Sequence, residues 1–82
     1  MRIVWDERKR IANIEKHHLD FSDLSEEFFL SAVTVPAKLG RRKAIGRLQN
    51  GVIAAIFLML GSEGLSVISM RPARQDERKL IE

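Results

Sequence analysis

The nine residues Val52–Leu60, Val-Ile-Ala-Ala-Ile-Phe-Leu-Met-Leu, carry no polar side chain and are bounded by Gly51 and Gly61. A run this short and rich in β-branched residues fits a strand buried on both faces. A buried helix is the alternative reading. A membrane-spanning helix needs about 20 apolar residues, more than the run supplies. Asn50-Gly51 precedes the run, and Asn-Gly between two apolar stretches is a strong hairpin signal. Both residues tolerate the positive φ of a type I′ turn. The run is therefore expected at the centre of an antiparallel sheet.

The chain has 82 residues, enough for one domain, 1–82, with a thin core. A hydrophobic content of 45% supports a folded globule. There is no cysteine, hence no disulfide framework and no thiolate zinc site. The start, Met1-Arg2-Ile3-Val4-Trp5-Asp6, lacks the apolar core of an export signal. A cytoplasmic protein with no membrane segment is the default expectation.

Around the central run the elements follow in order. Arg2–Trp5 reads as a short strand. Asp6 is an N-cap candidate for a helix over Glu7–His18. At helical spacing Ile11, Ile14 and His18 share one face, expected to meet the core. Lys9, Asn13, Lys16 and His17 fall on the opposite, polar side. Ser22 is expected to cap a second helix, Asp23–Leu30, with Phe21 as a staple and Leu24 stacked on Phe28. Ala32–Val35 is a strand that Pro36 ends or holds at an edge. Arg42–Gln49 alternates, with Lys43, Ile45 and Arg47 opposite Arg42, Ala44, Gly46 and Leu48. Gly46 inside a strand implies a bulge or a close approach. Leu65–Met70 is the last strand, with Leu65 and Val67 opposed to Ile68 and Met70. Pairing is expected to stop at Pro72. Gln75–Ile81 reads as a short, polar helix, marginal alone. The fold class is α+β: an antiparallel sheet of four to five strands, two N-terminal helices on one face and a short C-terminal helix.

Net charge is +3, and its placement is uneven. Residues 31–62 hold Lys38, Arg41, Arg42, Lys43 and Arg47 and no acid. This is either a solvated hairpin with a charged edge or a phosphate-binding face. Glu26 and Glu27 are neighbours that point apart on a helix, so they form no acid/base pair. His17-His18 cannot point at one ion, and no P-loop, GxGxxG or HExxH occurs. No metal or cofactor is expected. What remains is a set of cations with one histidine on a polar helix face. Arg71, Arg74 and Arg78 follow a strand end, while Lys9 and His17 come from the first helix. Such a set binds phosphate through guanidinium forks. It could also cleave RNA by deprotonating a 2′-OH, stabilising the phosphorane and protonating the leaving 5′-oxygen. The bland alternative is that the arginines pair with Asp76, Glu77 and acids of a partner chain.

Trp5-Asp6-x-x-Lys9-x-x-x-Asn13-x-x-Lys16-His17, followed by Asp20-Phe21, resembles the N-terminal motif of BrnT-type toxins. Ile68-Ser69-Met70-Arg71-Pro72-Ala73, with Glu77-Arg78 after it, resembles that family's closing motif. The intervening spacing, with Ala44-Ile45-Gly46 before the hairpin, is similar too. The resemblance implies a RelE-like fold and a metal-independent endoribonuclease toxin of a bacterial type II toxin–antitoxin system, blocking translation. It implies a ribbon-helix-helix, BrnA-like antitoxin, through which the complex meets operator DNA. Carried over by motif, His17, Lys9, Arg71 and Arg78 are the expected catalytic residues. Asn13, Lys16 and Arg74, with Arg41, Arg42 and Arg47 from the charge argument, are the expected RNA-binding residues. His18 stands where the family usually has glycine, Gly40-Arg41-Arg42 lacks the family's usual acid, and Ile81 replaces a usual aromatic. Two other readings stay open: an inactive antitoxin-binding co-regulator, and a plain nucleic-acid-binding domain.

Overall fold

The structure, a computed structural model, describes residues 1–49 and 51–82. Five strands, β1 (Arg2–Trp5), β2 (Val33–Pro36), β3 (Arg42–Leu48), β4 (Gly51–Leu60) and β5 (Gly64–Pro72), form one sheet in the order β1-β5-β4-β3-β2. The apolar run is the central strand, and Val52–Ala55 are buried on both faces. The sheet is mixed rather than antiparallel throughout. β1 runs parallel to β5, Arg2 opposite Gly64 through Trp5 opposite Val67, while the other pairs are antiparallel. The sequence showed β1 as a strand but not its partner, which lies across nearly the whole chain. A parallel neighbour requires a long crossover, and here every element between the two strands supplies it.

Gly51 belongs to β4 rather than to the expected Asn50-Gly51 turn. Gly51 already pairs with Leu48, and Gln49 carries a positive φ of 46°. Asn50 lies outside the described residues.

Among the described residues three α-helices flank the sheet: α1 (Glu7–His17), α2 (Glu26–Ser31) and α3 (Gln75–Arg78). Asp6 caps α1 as expected, accepting from the Arg8 N–H at 2.8 Å. The second helix starts later than expected. Asp20 caps a 3₁₀ turn, Phe21–Asp23, and Ser25 caps α2 by accepting from Phe28 N–H at 3.2 Å. On one face of the sheet Phe21, Leu24, Phe28 and Phe29 pack on Ala44, Ile53, Ala55, Phe57, Leu65, Val67 and Met70. Phe29 meets both Phe28 and Phe57 edge-on, with centroids 5.2 Å apart in each pair. Gly46 is the close approach, not a bulge: a Cβ there would sit 3.0 Å from the Phe28 ring. On the other face Ile45, Val52 and Ala54 form a smaller cluster under Ala73 and Ile81. The C-terminal segment therefore covers the face opposite α2.

β5 differs most from its expected form. Phe57 pairs with Val67 but Ile56 with Ser69, so Ile68 is an extra, bulged residue. The bulge flips the alternation, and Met70 joins Leu65 and Val67 in the same core. The strand also runs on through Pro72, which pairs with Ile53 at the sheet's end. No described helix is long and apolar enough to cross a membrane.

Candidate functional site

The first helix is turned differently from its expected phase. Ile11 is 48% exposed, and Asn13 is the buried residue of α1. The inward stripe is Arg10, Asn13, Ile14 and His17. The cause lies in β5. β1 ends opposite Val67, so beyond it β5 has no strand on that side. The Met70 N–H donates instead to Asn13 Oδ1 at 3.1 Å, and Asn13 Nδ2 donates to the Leu19 carbonyl at 3.0 Å. A buried amide needs partners, and Asn13 takes the place in the ladder that β1 vacates. Expected as an RNA contact, it is committed to the scaffold. His18 is the C-cap, left-handed at φ 59°, its N–H donating to Ile14 O. Arg10 pairs with Glu7 and, at 3.0 Å, with Asp20, fastening the helix to the turn that follows. The Ser22 N–H, first, and the Arg10 guanidinium hold the Asp20 carboxyl below its usual range.

Docked this way, α1 and the end of β5 enclose a groove of ≈ 480 Å³ lined by Lys9, Ala12, Asn13, Lys16, His17, Ile68, Ser69, Arg71 and Arg74. Six of the ten expected site residues thus meet in one place. The polar face of α1 meets Arg71, in the last rungs of β5's ladder, and Arg74, just beyond the strand, at the end of β5 that follows the bulge.

Arg71 does not stand free in that groove. Its Nη1 and Nη2 donate to Glu77 Oε1 and Oε2 at 2.7 and 2.8 Å, a fork-on-fork pair. Lys43 Nζ reaches Oε2 at 2.6 Å, and the Arg74 N–H reaches Oε1 at 2.8 Å. The Glu77 side chain is only 3% exposed. The Arg71 fork, chiefly, outweighs the burial that would push the carboxyl up, and holds it far below the usual carboxylate range. Glu77 in turn keeps Arg71 firmly protonated. The pairing of Arg71 with Glu77 that sequence left open is realised, and it orients the arginine at the edge of the groove.

The remaining expected residues lie elsewhere. Arg41 lines a second groove with Lys38 and Lys43, while Arg42 lines a further concavity beside Thr34. Arg47 donates to the Ile81 carbonyl at 3.3 Å and ties down the C-terminus. Arg78, expected to be catalytic, pairs with Glu82 at 3.0 Å and lines none of these grooves. Sequence reasoning named Glu77 only as an alternative partner for the arginines and did not place Lys43 or Ser69 at the site. The alternation of β3 put Lys43 beside Ile45, but its carboxylate partner is 34 residues away. Among the described residues no three His, Cys, Asp or Glu side chains group as metal ligands would.

The family model described as "Ribonuclease toxin, BrnT, of type II toxin-antitoxin system" matches residues 5–77. Among solved structures, the chain is similar to the crystal structure of the Brucella abortus ribonuclease toxin, BrnT. The TM-score is 0.84 and the identity 58%, over 92% of this chain and 99% of that one. No curated protein matches.

Proposed function

Since the chain belongs to the BrnT family of ribonuclease toxins of type II toxin–antitoxin systems, we propose that it cuts RNA in the groove between α1 and β5. The observation that carries this reading is the convergence of Lys9, Lys16, His17, Arg71 and Arg74 on one groove. Histidine is the side chain able to carry a proton in either direction near neutral pH. His17 is assigned the proton transfer at the ribose 2′-OH. The 2′-oxygen attacks phosphorus, the bond to the 5′-oxygen breaks, and the departing oxygen takes a proton from water, so that a 2′,3′-cyclic phosphate and a 5′-hydroxyl result. Lys9 and Arg71 stabilise the charge that builds on the phosphorane. Lys16 and Arg74 hold flanking phosphates. Asn13 positions α1 and is given no contact with RNA, and Arg78 is given no catalytic part.

Cations stand where a divalent ion would otherwise steady the phosphorane, and no carboxylate lines the groove. Cleavage on this reading is metal-independent. Residues 1–82 act as one toxin domain of RelE-like architecture, in the cytoplasm. The expected antitoxin is a ribbon-helix-helix protein, BrnA-like, that neutralises the toxin and brings the pair to operator DNA. The released toxin inhibits translation by destroying RNA.

The test is cleavage of a labelled RNA by the purified chain in excess chelator, beside His17→Ala. Activity that survives chelation and falls about 10²- to 10⁴-fold in the variant agrees with the assignment. Activity that returns only with a divalent ion would count against metal independence. An active His17→Ala protein would remove the histidine from the mechanism.

A further inference from the structure

The catalytic groove does not end at Arg71 and Arg74. The same two arginines line a second groove, of ≈ 620 Å³, with Pro36, Ala37, Lys38, Arg41, Lys43 and Ile56. The tip that carries Lys38 and Arg41 is held closed, the Ala37 N–H donating to Arg41 O at 2.8 Å and the Arg41 N–H to Lys38 O at 3.2 Å. Lys43 is fixed from below by Glu77. Cations thus run from α1, across Arg71 and Arg74, to the β2–β3 tip; of the acids beside them Glu77 is buried in its ion pairs and Asp76 is exposed. Apolar patches lie between them: Ala12 and Ile68 in the first groove, Pro36, Ala37 and Ile56 in the second.

We infer that the second groove is an extension subsite, in which Lys38 and Arg41 hold phosphates of the same RNA strand whose scissile bond lies beside His17. This rests on the ribonuclease reading above and deepens it. The class of substrate follows from the lining. Neither groove is lined by a phenylalanine or the tryptophan, and the one ring in the first groove is the His17 imidazole, assigned above to proton transfer. Phe21, Phe28, Phe29 and Phe57 are core residues, and Trp5 lies edge-on to Phe21. Bases therefore find none of the large Phe or Trp platforms that single-strand readers use. Recognition goes through the backbone, with little preference for base sequence and with strong dependence on salt.

The experiment uses the full chain and fluorescent 2′-O-methyl RNA oligonucleotides, a trimer and an octamer, which lack the attacking hydroxyl. Affinity is measured against salt concentration for the wild type, for Lys38→Ala/Arg41→Ala, and for Arg8→Ala/Lys79→Ala. The last removes equal charge at exposed positions outside both grooves. The expected result is a steeper log–log salt slope for the octamer than for the trimer. In Lys38→Ala/Arg41→Ala the octamer slope falls by about 1.4, roughly 0.7 for each lost contact on a single strand. The control pair keeps the wild-type slope, and all three proteins melt cooperatively. Equal slopes for trimer and octamer, or a control variant that loses as much as the test variant, would overturn the subsite. In that outcome trimer binding that weakens in Lys16→Ala would leave the first groove's role standing. Failure of the wild type to bind either oligonucleotide would overturn both.

Discussion

At the scale of single residues, Glu77 carries the most consequence. One carboxylate accepts from two Arg71 nitrogens, Lys43 Nζ and the Arg74 N–H. Glu77→Gln leaves Arg71 and Lys43 without their counter-charge, and breaking a buried pair by removing one partner costs about 3–5 kcal/mol. Urea denaturation of the variant checks this. The pH dependence follows from the direction of the shift. A carboxyl depressed in the folded state stabilises the protein above its unfolded pKa, and that contribution fades as pH falls toward the folded value. The gap in stability between wild type and Glu77→Gln should thus be full at pH 7 and narrow on acidification below the ordinary carboxylate range. A gap that stays constant down to pH 3 would sink the ion-pair account. His18 tests the opposite sign. It is a non-glycine residue at φ 59°, a conformation that costs roughly 1–2 kcal/mol. Glycine there increases unfolded-state entropy, so His18→Gly should gain only about 1 kcal/mol, read as a higher midpoint in urea.

At the scale of elements, the seam between α1 and β5 decides where the groove lies. Asn13 closes a ladder position that no strand fills. Asn13→Leu buries the Met70 N–H without an acceptor, at a cost of about 1–3 kcal/mol. Because the helix then shifts on β5, RNA cleavage should fall with stability, even though Asn13 is given no contact with RNA. Measuring activity well below the variant's melting temperature separates the two effects. α2 meets β3 through a different constraint. Gly46 lets the Phe28 ring approach the strand, and Gly46→Ala should destabilise the chain by about 1–3 kcal/mol through overpacking. Thermal melting checks it, with no change expected in the groove's affinity for RNA once folded.

At the scale of the whole molecule, the sheet separates two tasks. One face packs α2 and the 3₁₀ turn and holds the main core. The other carries α3, the buried carboxylate and the cations on β3 and β5. An antitoxin that neutralises the toxin by covering the cationic grooves should abolish RNA binding in the complex, and its hold should weaken as salt rises. A complex that still binds the octamer would place the antitoxin elsewhere.

What the sequence determined by itself was local. The unbroken apolar run Val52–Leu60 pointed to a central strand, and it is central, buried over Val52–Ala55 while Met59 and Leu60 at its end are exposed. Asp6 capped its helix, Gly46 marked a close approach, and the spacing of Trp5 through His17 with Arg71-Pro72 pointed to the family. These depend on neighbours a few residues apart or on patterns carried within one element. The rest needed the tertiary structure, because it depends on partners far apart in the chain. The parallel pairing of β1 joins residues about 60 positions apart. The bulge at Ile68 reversed the expected faces of Met70 and its neighbours, and alternation in sequence cannot show an inserted residue. The phase of α1 followed the Met70 amide that β1 leaves free for Asn13, not the expected face of Ile11, Ile14 and His18, since satisfying a buried donor outweighed burying Ile11. The same long-range reach separated the arginines. Their shared charge made them look alike, and only the position of one buried carboxylate set Arg71 at the groove while Arg78 and Arg47 served the C-terminus.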